Sequence, residues 1–268
     1  MFLHAGTDLY RNQVFLRQKL LYANNIIVVC EFNRNFIREL YPDIFHSIAD
    51  KIHLHHLGLD LTELPCEPEG RQLKKVLGVG GLEKYKGFEY LLRATHELKC
   101  RGIDIEVELV GDGKEIDSLE ALARKLEIAD RLRFLGWLPP HEVTNIMKQT
   151  TILVHPSIGL GDAVPTVIKE SMALGTPVVA SNVAGIPELL DGGRCGMLVP
   201  PKNVEALADA IKTLLANAAM RQTYADAARK YAEEKFDLWR NGLRLATVIR
   251  STKRPIGAVS LQEGALYE

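Results

Sequence analysis

The sequence predicts an α/β protein whose parallel sheet is covered by helices on both faces. Apolar, strand-like runs alternate with amphipathic, helix-like runs from residue 74 to residue 199. Glycine-rich turns follow several of the strand-like runs, among them Gly80-Gly81 and Gly111-Asp112-Gly113. Such alternation is typical of parallel sheets, because each pair of parallel strands needs a crossover between them. We therefore expect an open sheet with its ligand site beyond the carboxyl ends of the strands.

The first 57 residues show the same α/β pattern over a short length. Leu16, Leu20 and Leu21 fit a helix within residues 9–25, and residues 26–30 form an apolar strand. A second helix is expected over residues 32–40, stopped by Pro42, and a second strand over residues 52–57. A complete doubly wound domain usually needs about 100 to 150 residues. We therefore expect residues 1–57 to be the second half of an N-terminal domain.

A linker and a second, larger domain are expected to follow. Residues 58–72 contain two prolines and two glycines and have no hydrophobic period, which is typical of a linker. The second domain is expected over residues 73–235, a last helix over 236–250, and a tail over 251–268.

Each element of the second domain has its own signal. Residues 74–80 (KKVLGVG) indicate a buried strand, and the following helix carries Phe88, Leu91 and Leu98 on one face. Asn203 has the side chain of a helix N-cap. Further strands are expected at 105–110, 132–135, 151–155, 177–180 and 196–199. Helices are expected at 87–101, 115–127, 141–149, from 165 to Gly175, and at 186–190, 203–215, 220–235 and 238–250.

Composition excludes several classes of function. The chain has 268 residues, a formal net charge of −1 and no long run of Lys or Arg, so we expect no nucleic-acid partner. The four cysteines have no paired spacing, which argues against a disulfide framework or a cysteine metal site. No apolar run approaches the ~18 residues of a membrane span, and the first residues lack a leader pattern. A cytoplasmic location is expected.

The most informative stretch is residues 159–181, GLGDAVPTVIKESMALGTPVVAS. A glycine-punctuated loop enters a helix near Pro165, because proline suits the first helical turn, and an apolar strand follows Gly175. The free N–H groups and dipole of such a helix start favour phosphate or carboxylate. Asp162 precedes this start and Glu170 lies inside the helix. From the stretch alone, a capping aspartate and a solvated glutamate are an equally good interpretation.

This stretch resembles the signature of the retaining, nucleotide-sugar-dependent glycosyltransferases of family 4, in which two glutamates separated by seven residues bracket such a loop. Asp162 and Glu170 keep the spacing, with aspartate in place of the first glutamate. Flanking residues match as well: Pro156, Ser157, Ala173, Gly175, Pro177 and Val178. The similarity covers about residues 54–215 and continues more loosely at both ends. It implies a GT-B-type protein with a complete Rossmann-like C-terminal domain and a partial N-terminal domain.

The resemblance assigns catalytic roles to three residues. Lys86 is identified with a lysine that holds the donor phosphates, and Asp162 with a carboxylate beside the donor sugar. His4 resembles a histidine at the cleft between the domains, with Asp8 as its partner. Because aspartate is one methylene shorter than glutamate, we expect sugar preference or turnover to differ from the family norm.

The resemblance also implies a donor-binding set. Glu170 would accept hydrogen bonds from the ribose hydroxyls, which suits an ionised carboxylate. Gly81 holds the position of a phosphate-binding arginine, so half of the cationic clamp is missing; Lys84 or Lys169 could supply the charge. Gly111, Gly113 and Gly136 would lie near the base. Ala163, Val164, Pro165 and Thr166 would face the pyrophosphate and the sugar. Taken singly, Lys86 also fits an ordinary surface lysine, and most glycines after strands are turn residues.

The implied reaction is transfer of a sugar from a nucleotide-diphosphate sugar to a glycan or lipid-linked acceptor with retention of configuration. No cofactor and no metal are expected, and His53, His55, His56 and His155 are not expected to form a metal site. The resemblance leaves open a peripheral position at the inner face of the membrane.

Two other functions remain open at this stage. One is a catalytically impaired nucleotide-binding or interaction module, because Gly81 and Asp162 depart from the family pattern. The other is a dehydrogenase, although GVGGLEKYKG lacks the third glycine of a dinucleotide fingerprint.

The short N-terminal segment adds an expectation of its own. If the first strands of this domain are missing, part of the sheet is missing as well. The apolar side chains that would pack against that part are Phe15, Leu16, Leu20 and those of the strand over residues 26–30. We therefore expect an apolar surface there that pairs with the missing half or with a second copy.

Overall fold

The computed structural model describes residues 1–3, 9–10, 13–66 and 71–251. Within them the chain forms two parallel sheets, each with its own apolar core. No helix in these ranges combines the length and the apolarity that a membrane crossing requires.

The first sheet belongs to the N-terminal segment. Its strands are β1 (Ile26–Val28) and β2 (Ile52–Leu54), which pair in parallel. Residues 1–3 lie along the other edge of β1, where Leu3 N donates to Ile27 O at 3.1 Å and Ile27 N donates to Met1 O at 2.7 Å. The helices of this segment are α1 (Leu16–Tyr22), α2 (Glu31–Leu40) and α3 (Pro42–Ile48).

The helix expected over residues 32–40 is confirmed as α2, which ends before Pro42. Pro42 also begins α3, a helix that the sequence analysis missed, because proline is well accommodated in the first helical turn. One expectation for this segment is wrong. The apolar residues expected to lack cover are buried: Leu16 and Leu20 are at most 3% exposed, and β1 is buried throughout. They pack on one another and on α2 and α3, whereas Phe15 is 69% exposed.

The second sheet has six strands, all parallel, in the order β5-β4-β3-β6-β7-β8. The strands are β3 (Lys75–Val79), β4 (Glu106–Val110), β5 (Leu132–Gly136), β6 (Ile152–His155), β7 (Val178–Ser181) and β8 (Met197–Val199). The helices are α4 (Phe88–Cys100), α5 (Ile116–Lys125), α6 (Pro140–Gln149), α7 (Thr166–Ala173), α8 (Ile186–Leu189), α9 (Val204–Ala216), α10 (Ala218–Lys235) and α11 (Leu238–Arg250). This strand order is that of a doubly wound fold. From β3 the chain adds strands towards one edge of the sheet, and from β6 it adds them towards the other edge, so the reversal point lies between β3 and β6.

Helices cover both faces of this sheet, as the sequence predicts. Leu91, Leu92, Leu98, Ile211 and Leu214 of α4 and α9 belong to the buried core on one face. Met147, Ile168 and Met172 of α6 and α7 belong to the core on the other face, together with the small residues of α10. The sequence prediction of an N-cap at Asn203 is confirmed, since its side chain accepts a hydrogen bond from Ala206 N. The layers leave the carboxyl ends of the strands free to carry loops.

The chain returns from the second sheet to the first at α11. Leu59 N donates to Phe236 O at 2.7 Å, and Leu238 N donates to Leu59 O at 3.1 Å. Asn241 Nδ2, on α11, donates to His56 O at 3.0 Å. The segment after β2 and the start of the last helix are therefore hydrogen-bonded to each other.

Candidate functional site

The loops after β3 and β6 meet at the reversal point of the sheet. Ile158 N and Ser157 Oγ both donate to Tyr85 O, at 2.8 and 3.0 Å. Gly87 has φ 69°, and a Cβ there would lie 2.2 Å from the Pro156 carbonyl oxygen. Only glycine allows this approach, so Gly87 brings the two loops together. The crevice between the carboxyl ends of β3 and β6 is where doubly wound folds bind ligands.

The loops after β3, β4 and β5 are packed on one another by backbone contacts. Leu82 N donates to Asp112 O, and Gly111 N donates to Gly136 O, both at 2.8 Å. A Cβ on Gly111 would lie 2.0 Å from Gly80 O, and one on Gly113 would lie 2.4 Å from Leu82 O. Gly111 and Gly113 are thus required for close backbone packing, while Gly136 borders open space.

Lys86 and Asp162 lie together at this crevice. Lys86 Nζ is 2.7 Å from Asp162 Oδ1, which joins the loop after β3 to the loop before α7. The Asp162 side chain is 7% exposed and that of Lys86 is 14% exposed. Burial alone raises the pKa of the Asp162 carboxyl, but hydrogen bonds from His155 and Lys86 outweigh it and hold that pKa well below its ordinary value of 3.8. Asp162 is therefore an anion at neutral pH.

His155 completes this cluster, and the sequence analysis missed its role. His155 Nε2 lies 2.6 Å from Asp162 Oδ2, and the ring is 1% exposed. Its other nitrogen, Nδ1, is buried and has no hydrogen-bond partner. The proton of the contact with Asp162 lies on Nε2, because a carboxylate can only accept the hydrogen bond. The position of His155 at the end of β6 was the available signal, since that end borders the crevice.

Glu170 lies on α7, which begins at Thr166 directly after Pro165, so the expected helix start is confirmed to within one residue. Burial raises the pKa of Glu170 above its ordinary value of 4.5, and the charge of Lys169 opposes that rise. Ahead of the helix, Ala163 is buried against Cys30 of the N-terminal segment, whereas Thr166 is exposed. The loop that precedes α7 is thereby in contact with the N-terminal segment.

Lys169 does not supply the missing cation, and that expectation is wrong. Its side chain is 1% exposed and its Nζ donates to Leu57 O at 2.9 Å. The ammonium also lies 5.7 Å from the centre of the Phe236 ring. Burial lowers the pKa of Lys169 to about 8. Lys169 therefore links α7 to the segment after β2, because its ammonium is bonded there.

Gly81 leaves room for the side chain that it lacks. A Cβ at this position would contact only Asp112 O and Glu83 Cγ, each at 3.9 Å. Lys84 is exposed and lies on the same short turn as Lys86. His4 and Asp8 lie outside the described residues. Among the residues that are described, no three His, Cys, Asp or Glu side chains are grouped as metal ligands.

Comparison with known proteins places this site in a family. Residues 67–231 match the model of glycosyl transferases group 1. The chain is 30% identical over 166 residues to the putative colanic acid biosynthesis glycosyltransferase WcaL of Salmonella typhimurium, covering 59% of this chain and 41% of that protein. It is 35% identical over 185 residues to the D-inositol 3-phosphate glycosyltransferase of Corynebacterium aurimucosum, covering 65% and 44%. The chain thus spans less than half the length of these two relatives.

Solved structures agree with the fold. Anabaena HepE in complex with UDP and glucose aligns with a TM-score of 0.79 at 22% identity, over 93% of this chain and 70% of that one. WaaG, a glycosyltransferase involved in lipopolysaccharide biosynthesis, aligns with a TM-score of 0.74 at 21% identity, over 91% and 68%. The α/β fold of GT-B type that the sequence predicts is confirmed. Because the family model covers well over half of its length, the chain belongs to the group 1 glycosyl transferases.

Proposed function

We propose that this chain carries the donor site of a retaining glycosyltransferase, which moves a sugar from a nucleotide-diphosphate sugar to a glycan or lipid-linked acceptor. The observation that carries the proposal is that Lys86 and Asp162 lie together at the reversal point of the sheet. Asp162 belongs to the loop that leads directly into α7. A cation and a helix start at that position suit a diphosphate.

The donor is bound in three parts under this proposal. Lys86 and the first turn of α7 meet the diphosphate, because both offer positive charge or N–H donors. Glu170 accepts hydrogen bonds from the ribose hydroxyls through its carboxylate oxygens. The base lies towards the loops after β4 and β5. HepE, whose fold this chain shares, has been solved with UDP and glucose, which supports a nucleotide-sugar donor here.

The chemistry is stabilisation of a leaving group. The bond between the anomeric carbon of the sugar and the β-phosphate oxygen breaks. The oxygen of the acceptor hydroxyl forms the new bond to that carbon on the same face, and its proton passes to the departing diphosphate. Negative charge grows on the departing diphosphate, where Lys86 and the α7 start stabilise it. The proposal therefore needs no metal and no cofactor, since the chain itself supplies the groups that meet the diphosphate.

The acceptor side of the proposal rests on relatives. One relative is named for colanic acid biosynthesis, which supports a role in polysaccharide biosynthesis. A cytoplasmic location at the inner face of the membrane would bring such an enzyme to a lipid-linked acceptor. His4, if it follows the resemblance, would lie beside the transferred sugar.

A second function, a nucleotide-binding module without turnover, is favoured by a specific observation. Gly81 removes one cation of the clamp, and Lys86, which remains, is already paired with Asp162. Positive charge available to a diphosphate is therefore smaller than the resemblance implies.

Turnover separates the two functions. The chain is incubated with radiolabelled nucleotide-diphosphate sugars, and release or transfer of the sugar is followed, with Lys86→Met as the matched control. Turnover above the background of the control, giving product of the donor's anomeric configuration by NMR, supports the enzyme. Diphosphate binding without turnover, even after Gly81→Arg, would favour the module.

A further inference from the structure

The cluster of His155, Asp162 and Lys86 contains more than a donor site needs. A lysine that binds phosphate works best when it is free to meet its ligand, yet Lys86 Nζ is already 2.7 Å from Asp162 Oδ1. To bind a diphosphate, Lys86 must loosen or share this contact. Asp162 is almost fully buried, so its carboxylate would then lose a partner in a place that water reaches poorly.

Loss of a partner by a buried charge is costly. Removing one member of a buried ion pair is strongly destabilising, because the remaining charge is neither solvated nor paired. Donor binding through Lys86 would carry part of that cost if Lys86 were the sole partner of Asp162. The second oxygen of Asp162, however, is held by His155 Nε2 at 2.6 Å.

We infer that His155 is a positioning residue for donor binding: by holding Asp162 through Oδ2, it lets Lys86 exchange the carboxylate for a donor phosphate. The inference rests on the proposed function of Lys86. It assigns His155 a role that neither a core histidine nor a metal ligand would have.

The surroundings of His155 fit this role. The ring is 1% exposed and Nδ1 has no partner, so the Asp162 contact is the polar bond that fixes the ring among the described residues. His155 is the last residue of β6 and pairs in register with Ala180 of β7, which fixes its backbone. Asp162, in contrast, lies in a loop, so its carboxylate needs a contact from a rigid element to stay in place.

A double-mutant cycle tests the inference by calorimetric titration with UDP, GDP and ADP, using whichever binds the unaltered chain most tightly. His155→Leu removes the donor to Asp162 and should weaken binding about tenfold, the size expected for one hydrogen bond to a charged group. His155→Gln, whose amide nitrogen reaches about as far as Nε2, should restore affinity to within about threefold of the unaltered chain. If the Leu variant does not fold, His155→Asn replaces it, since its amide is too short to reach Asp162.

The second arm of the cycle separates positioning from general structure. In an Asp162→Asn background no buried charge has to be held, so His155→Leu should change affinity by less than about twofold, because the two changes then act as a unit. Val154→Ala, a buried change in the same strand whose side chain belongs to the core with α4 and α9, controls for simple weakening of β6.

Each outcome decides. Binding by the unaltered chain with a tenfold loss in His155→Leu, rescue by Gln and no further loss in the Asp162→Asn background supports the inference. The same loss in both backgrounds, or an equal loss in Val154→Ala, overturns it while leaving the donor site intact. Absence of binding to any of the three diphosphates by the unaltered chain overturns the proposed function, and the inference with it.

Discussion

The space around Gly81 allows an arginine to be introduced there, in place of the cation that the family resemblance implies. The backbone at Gly81 is not in the left-handed region, and an added Cβ meets no atom closer than 3.9 Å. Gly81 is exposed at the carboxyl edge of β3, beside the crevice that holds Lys86. Gly81→Arg should therefore fold normally, with a free energy of unfolding within about 0.5 kcal/mol of the unaltered chain.

The gain in affinity follows from the charges now present. Lys86 is shared with Asp162 and Lys169 is bonded elsewhere, so a guanidinium at position 81 adds a cation that the crevice lacks. A hydrogen bond to a charged group contributes about 1.5 to 3 kcal/mol, and a guanidinium can make two such bonds to a phosphate. Since 1.4 kcal/mol is tenfold in Kd, we expect nucleoside diphosphates to bind about 10- to 100-fold more tightly.

Calorimetric titration with UDP, GDP and ADP measures this effect, and Gly81→Gln is the matched control. Glutamine fills similar space and offers N–H donors without the charge, so it should gain less than about threefold. The gain of the arginine variant should also shrink as salt rises, because it is electrostatic. A folded Gly81→Arg chain with unchanged affinity, or one matched by Gly81→Gln, would show that position 81 does not face the diphosphate.

Three further changes test neighbouring parts of the account. Glu170→Gln should weaken diphosphate binding by about 1.5 to 3 kcal/mol. In the unaltered chain, the affinity for the diphosphate should fall as pH drops through the raised pKa of Glu170, because the carboxylate is then protonated. Calorimetry should not find this decrease in affinity in the variant. Lys169→Met should raise the free energy of unfolding at pH 7 by about 2 kcal/mol. Removing the buried charge gains the ~3 kcal/mol that corresponds to the lowered pKa, and losing the hydrogen bond to Leu57 O costs about 1 kcal/mol. In the unaltered chain, the destabilisation caused by burying the Lys169 charge is complete below the folded pKa of about 8 and is relieved as pH rises towards 10.5. The free energies of unfolding of the two chains in urea should therefore converge over that pH window. A constant difference between them across the window would contradict this explanation. Gly87→Ala should cost at least about 2 kcal/mol more than Gly102→Ala, because both have positive φ but only the former places a Cβ against Pro156 O; equal losses in urea unfolding would refute the close approach.

Much of the second sheet could be predicted from the sequence. Its strands are short apolar runs and its helices carry clear apolar stripes, so period and turn residues fix most elements to within a few residues. Strand order did not follow from these local signals. It depends on which crossover returns to which edge, and the helix and strand lengths are similar in either direction.

The N-terminal segment shows where local patterns fail. Pro42 stops α2, as expected, but it also begins α3, whose seven residues are too few to show a helical period. Residues 1–3 are too few to show a strand period, yet their pairing with β1 helps to close the core that buries Leu16 and Leu20. The segment's own elements therefore cover most of its apolar residues, which short local patterns do not reveal.

The site was predictable in its residue types but not in its contacts. Asp162 and Lys86 were both identified, although they are 76 residues apart and nothing in their spacing indicates an ion pair. His155 was weighed only as a metal ligand, because its bond to Asp162 depends on how the loop after β6 folds back. Lys169 was considered as a cation that could bind the donor phosphates. Its burial against Leu57 O is a tertiary contact between residues far apart in the sequence, so the sequence around Lys169 and Glu170 does not reveal it.

The central claim is that the crevice between β3 and β6 binds a nucleoside diphosphate through Lys86. Calorimetric titration of the chain with UDP, GDP and ADP, alongside Lys86→Met, tests it directly. We predict saturable one-to-one binding of at least one diphosphate, weakened about tenfold or more by Lys86→Met, the usual loss when a charge-assisted contact is removed. No binding by any of the three, or binding that Lys86→Met leaves unchanged, would contradict the account.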